Sequence, residues 1–455
     1  MDKHNLDRNL DNFLRHLESL KDTFPMSMLL LDPYHRKANK EFEIFIKKNV
    51  DDIEDEEGNK FIGINYEDKH TYDRLHKSAY ISGIAQKIIP QSLFVSLISQ
   101  YDSFLNQLLR LVYQIKPEIL NSSQKNLTFS EMVELGTLEN ARDYIIEKEV
   151  ESVLRESHTY HFEYLENKLG ERDKPMTLRK KLPIWSTFIE VTERRNLFVH
   201  CDGIVSSQYI KNCEKNNVDE IDKIKVGDKL RVTPEYFIQA YRCLFEISTK
   251  LTHTIWRKLL KGDLENADKH LNHICFDLIC SSDFVLADIL LEFACEQPRH
   301  FNDTTCNILL VNQALSKHLN KKENEARSLI SSKDWSASSD EFKLAYNVIL
   351  GNDEIVFSLM KKIGKNGDVS KGDYKIWPLF TNYRKREDFK KTFKEIFGEE
   401  YTISEKPLSP LQQILKKEVS KRDKSKKITD KKTKPNSSTS LTSLSASNSQ
   451  IVNKV

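Results

Sequence analysis

Arg195, Asn196 and His200 stand in the segment FIEVTERRNLFVHCDGIV, Phe188 to Val205, and these residue types at this spacing suit chemistry on a phosphate ester. Breaking an RNA chain without a metal needs a base for the 2′-hydroxyl proton, an acid for the leaving oxygen and a cation for the phosphorane charge. Histidine exchanges a proton near neutral pH, and arginine stays charged and grips phosphate oxygens as a fork. Asn196 falls one turn before His200, where it can orient the imidazole or hold an oxygen; Glu193, at i − 7 of His200, lies on roughly the same face.

Spacing alone is weak. With 19 arginines and 13 histidines in 455 residues, chance alone gives about half an occurrence of R-x4-H. The surroundings say more. On a helical projection Ile184, Phe188, Val191, Phe198 and Val199 form an apolar face, and Arg195 falls within it. A guanidinium there requires an anionic ligand or an internal carboxylate such as Glu193 or Asp102.

RRNLFVH followed by Asp202-Gly203 resembles the signature of the HEPN superfamily, all-helical domains whose ribonuclease members carry R-x4-6-H with a polar residue after the arginine. Arg195, Asn196 and His200 occupy those positions, and the preceding SLISQYDSFLNQLLRLVYQIKPEIL is similar to the long second helix of such domains. The resemblance spans about residues 85–215. It implies a toxin-like or antiviral endoribonuclease that acts on RNA as a homodimer, two copies of the motif meeting across a two-fold axis. It also implies a C-terminal region that binds a regulatory protein. The alternative is a non-catalytic scaffold in which Arg195 merely pairs with an acid.

The elements around the motif read as helices. Phe94, Leu97, Ile98, Tyr101, Leu105, Leu108 and Val112 recur at three- and four-residue steps, predicting a buried helix over 93–112 with Pro90 just before its start. Further helices are predicted at 5–22, 139–169, 182–201 and, opened by Pro234, 234–260. Residues 23–80 read as a mixed, turn-containing stretch in which DDIEDEEGNK is a solvated loop. From 264 the pattern becomes hairpins: 264–280, 283–297, 303–319, 322–332, 338–350 and 352–363, stacked units that must lean on one another, without a legible tetratricopeptide consensus. The expected organisation is all-α: an N-terminal extension over 1–80, a HEPN-like bundle over 81–260, a TPR-like helical-repeat region over 261–400, and a disordered tail over 401–455.

Composition agrees with a helical chain. Glycine and proline number only 13 and 12 of 455, and 30% of residues are charged. The net charge of +2 hides an asymmetry: residues 416–434 carry +7, and with Lys454 set aside residues 1–415 carry −6. Any nuclease site in the body therefore depends on local cations. The tail reads as solvated more than RNA-binding, since no aromatic interleaves its lysines. No cofactor or metal is implied: a phosphate-binding G-x4-G-K-[ST] loop is missing, and His158/His161 and His270/His273 lack a third ligand. The seven cysteines read as reduced packing residues. No run of about 18 consecutive apolar residues and no signal-peptide core occur, so a cytoplasmic protein is expected.

Overall fold

The computed structural model describes residues 5–54, 60–122, 126–170, 176–402, 413 and 451–454. Two long helices open the chain, α1 (Leu6–Asn49) and α2 (Lys69–Ile115), joined by an antiparallel hairpin of β1 (Val50–Glu54) and β2 (Lys60–Asn65) in which Val50 faces Ile64. This corrects the expected mixed stretch over 23–80. The helix at the start runs on to residue 49, and the second begins well before Pro90, which lies inside it. The acidic run enters the hairpin at 51–54, and 55–59 lie outside the described residues.

Pro25 and Pro33 each remove one backbone donor from α1, and both rings lie exposed on its outer side. Side-by-side packing of α1 on α2 then outweighs the local penalty: Phe13 stacks on Phe104, His35 Nδ1 lies 2.9 Å from Ser82 Oγ, and Gln86 donates to Asp32.

The chain continues through α3 (Phe129–Leu135), α4 (Leu138–Leu154), α5 (His158–Leu169), α6 (Trp185–His200), α7 (Ser207–Lys215) and α8 (Pro234–Leu259). The single helix expected over 139–169 is two, because Ser157 caps a fresh start by accepting from the Tyr160 amide. Pro234 opens α8 as expected, with the Thr233 hydroxyl accepting from the Tyr236 amide.

The hairpin region follows as α9 (Leu264–Cys280), α10 (Phe284–Cys295), α11 (Asp303–Leu319), α12 (Glu323–Ile330), α13 (Asp340–Leu350) and α14 (Asp353–Ile363), close to the predicted boundaries; α15 (Lys371–Ile376) and α16 (Glu387–Phe397) complete it. Among the described residues sixteen α-helices dominate, and the fold is all-α apart from the small sheet. Of the tail, only Tyr401, Thr402, Gln413 and a strand β3 (Ile451–Lys454), parallel to β2, are described; the rest of the disorder expected over 401–455 falls outside the described residues.

One apolar core runs through the molecule from Leu6 to Tyr401. Leu6, Leu10, Phe13, Leu14 and Leu17 of α1 belong to it, as do Trp256 and Trp335, so the first turns of the chain pack in the same core as the motif helix. A second, smaller cluster of Leu197, Val205, Tyr209 and Cys213 closes the end of α6 against α7. α2 is the one helix among the described residues long and apolar enough to cross a membrane, and its C-terminal half supplies much of the core.

Candidate functional site

The α6 helix presents its residues to different surroundings. Phe188 and Val191 are buried as the projection requires, Ile184 and Phe198 pack at the core edge, but Val199 is 49% exposed, so the apolar face ends before the helix does. α6 stops at Asp202-Gly203. The Gly203 amide donates to the Leu197 carbonyl at 3.0 Å, Asp202 and Gly203 take φ of 49° and 77°, and a Cβ on Gly203 would lie 2.8 Å from the Phe198 ring. The Asp202 carboxylate meets Lys229 Nζ at 2.5 Å, and Lys229 first, then Lys87, hold it below its usual range.

The two arginines of the motif have separate partners. Arg194 is taken up by a buried hub: Glu190 Oε1 accepts from Arg194 Nε at 2.6 Å and from the Tyr209 hydroxyl at 2.7 Å, and Oε2 accepts from the Tyr236 hydroxyl at 2.6 Å. The Arg194 guanidinium also lies 3.8 Å from the Tyr236 ring centroid. This hub ties α6 to α7 and α8, and no sequence signal marked it because its members are 19 and 46 positions apart.

Arg195 turns instead toward α2. Its Nη2 donates to Asp102 Oδ2 at 2.5 Å and its Nη1 to Asn196 Oδ1 at 3.1 Å, while the buried Nε has no partner. Asp102 had been named from sequence as one possible carboxylate, and it is the one that meets Arg195; Glu193 forms no hydrogen bond or ion pair among the described residues. The side chain of Arg195 is 22% exposed and that of Asp102 33%, a half-open pair at the surface of the α2–α6 seam.

The residue that sequence reasoning missed here is His158, at the first position of α5. Its Nε2 lies 2.9 Å from Asp102 Oδ1, so one carboxylate holds both Arg195 and a largely buried imidazole. Burial works to raise the Asp102 pKa, but the His158 hydrogen bond and the charges of His158 and Arg195 outweigh it and leave the carboxyl below its usual value. Next to it His161 is 2% exposed, its ring edge-on to His158 at 5.1 Å, and burial pushes it down to about 4. Of the two, only His158 contacts Asp102; His161 packs against its ring. The other i, i+3 pair also divides: His270 bridges His253 and Asp11, and exposed His273 faces Asp277 at 3.3 Å.

His200 is the last residue of α6. It is exposed and has no hydrogen bond or ion pair among the described residues. Five positions separate it from Arg195, which on an ideal helix means about 140° of rotation and about 7.5 Å of rise. The structure brings Arg195, Asn196, Asp102 and His158 together, and His200, at the helix end, forms no hydrogen bond or ion pair with any of them among the described residues. No protein-family model, curated protein or solved structure matches this chain.

Proposed function

We propose that this chain is a metal-independent endoribonuclease of HEPN type, acting on RNA in the cytoplasm as a homodimer. The observation that carries the reading is the disposition of α6: Arg195 is anchored by Asp102 with N–H groups left over, and His200 stands open to solvent at the end of the same helix. A guanidinium fixed by a carboxylate loses little freedom on gripping a phosphate oxygen, and an exposed, unpaired imidazole is accessible to a substrate. Its divergence from Arg195 within one chain fits a site shared by two chains, in which Arg195 of one copy and His200 of the other approach one phosphate.

In the reaction the 2′-oxygen loses its proton to a histidine and bonds to phosphorus, the P–O5′ bond breaks, and the 5′-oxygen takes up a proton. The products are a 2′,3′-cyclic phosphate and a 5′-hydroxyl. Arg195 balances the added phosphorane charge, and Asn196 is placed to hold an oxygen. Asp102 and His158 act as positioning residues for Arg195. Exposed Ile81, Ile84 and Ile88 on α2, with Val199 and Ile204 beside the end of α6, supply apolar surface for the second copy. The helical region after residue 264 is assigned to sensing or restraint by a regulatory protein, in a toxin-like or antiviral setting; that assignment rests on analogy of architecture.

The experiment is incubation of the purified full-length chain with total RNA in EDTA, with analysis of the product ends. Cleavage leaving cyclic phosphate and 5′-hydroxyl ends is expected. An inert wild-type protein supports the scaffold reading, which the Arg195–Asp102 ion pair favours.

A further inference from the structure

A second site lies away from the motif and is independent of the ribonuclease reading. A cavity of about 560 Å³ opens where residues 177–182, the C-terminal half of α8 and residues 293–299 meet. Six cations line it, Lys181, Lys250, Arg257, Lys258, Lys261 and Arg299, against one carboxylate, Glu296. The gathering stands out because residues 1–415 carry a net −6.

Three of those cations, Lys250, Arg257 and Lys258, stand on the C-terminal half of α8, and Lys261 follows just past its end. The negative end of the α8 dipole accounts for basic residues in its last turn, but not for Lys181 and Arg299, which arrive on two other segments. Two of the cations are built in. Lys250 is 7% exposed and held by Glu246 at 2.6 Å, and the Arg257 side chain is 8% exposed, paired through Nη2 with Asp268 and donating from Nη1 to the Arg299 carbonyl at 3.1 Å. The Arg257 Nε is itself buried without a hydrogen-bond partner. Exposed Lys181, Lys261 and Arg299 form no ion pair among the described residues. Beside them Leu251, Leu264 and Phe293 provide an apolar wall.

We propose that this cavity binds a small phosphate-bearing ligand of the nucleotide class, its phosphates among Lys181, Lys261, Arg299 and the basic residues at the end of α8 and its base against Phe293. An oxyanion meets the exposed, unpaired Lys181, Lys261 and Arg299 and relieves the repulsion among the cations, which neither an apolar molecule nor a cation does. The volume is that of a small-molecule site, so a discrete ligand fits it better than a continuous strand. Occupancy joins residues 177–182, just ahead of the motif helix, to α8 and the end of α10.

The test is calorimetric titration and thermal melting of the full-length chain with ATP, inorganic pyrophosphate and adenosine as probes, plus an unstructured RNA oligonucleotide. ATP is expected to bind one per chain and raise Tm, pyrophosphate to bind more weakly, and adenosine not to bind. Lys181→Glu with Lys261→Glu, both at exposed positions, is expected to weaken ATP by about tenfold or more while shifting the unliganded Tm by less than about 2 °C. No binding of ATP or pyrophosphate at millimolar concentration overturns the proposal, as does ATP binding that survives the double variant. RNA binding that needs the same lysines, with nucleotides silent, overturns it in favour of a strand-binding track.

Discussion

Asp102 Oδ2 lies 2.5 Å from Arg195 Nη2, a carboxylate and a guanidinium 93 positions apart brought together by the packing of α6 on α2. The pair turns the motif arginine from a loose surface cation into a fixed one. Because the other oxygen of Asp102 engages His158, the aspartate is the hinge of the cluster.

Asp102→Asn removes that anchor. With both partners partly exposed, the expected loss is about 1–2 kcal/mol of stability, less than for a fully buried pair. The native Asp102 pKa is depressed, so its contribution is present above the ordinary aspartate pKa and is lost as pH falls through the lower, folded value. Urea titrations from pH 7 into the acid range check this: wild type and variant should differ at pH 7 and draw together as pH falls below the ordinary aspartate value. Equal stability at pH 7 would show that the pair contributes nothing.

His161 gives a second, opposite titration. The imidazole is held neutral, with its pKa at about 4, whereas an unfolded histidine protonates near 6.5. The unfolded state therefore binds the extra proton between these values, and stability falls as pH drops from about 6.5 to 4, by on the order of 3 kcal/mol. Replacing His161 with Leu, which suits a site where neither ring nitrogen has a partner, should flatten that part of the Tm-against-pH curve. A variant curve parallel to wild type would exclude His161 as its source.

The Glu190 hub predicts a larger loss. Glu190→Ala strands Arg194 and two tyrosine hydroxyls in a nearly closed site, and about 3–5 kcal/mol of destabilisation is expected. Chemical denaturation measures it. Arg195→Ala, made one position along from Arg194, should cost no more than about 2 kcal/mol, because its pair is more open. That contrast separates the structural arginine of the motif from the one available to substrate.

Gly203→Ala probes the end of the motif helix. A φ of 77° and the 2.8 Å approach to Phe198 make any side chain there strained, at about 1–3 kcal/mol. The variant should remain folded but displace the turn that follows His200, lowering RNA cleavage more than Asp202→Ala does. Identical activities for the two would mean that the turn does not position the histidine.

Much of the fold was legible because amphipathic helices of ordinary length carry their own pattern. α9 and α11 match the predicted spans, residues 264–280 and 303–319, since Asn302 caps the second and apolar spacing sets both faces. The long α1 and α2 were not legible, since Pro25, Pro33 and Pro90 are breakers by local propensity and only the pairing of the two helices overrides them. At the site, the sequence placed Arg195 on an apolar face and named Asp102 among its possible partners. It did not reveal His158, whose link to Asp102 spans 56 positions, or the split between Arg195 and His200, which depends on where the apolar face of α6 ends. The cation-lined cavity escaped for the same reason, its three segments being distant in the chain.

His200→Ala is the most direct test of the account, because the side chain is exposed and nothing structural rests on it. Cleavage of RNA in EDTA by the wild type and this variant should be measured beside their melting temperatures. Loss of the imidazole is expected to lower the rate at least about 100-fold with Tm unchanged to within about 1 °C. Cleavage at the wild-type rate by the folded variant would contradict it.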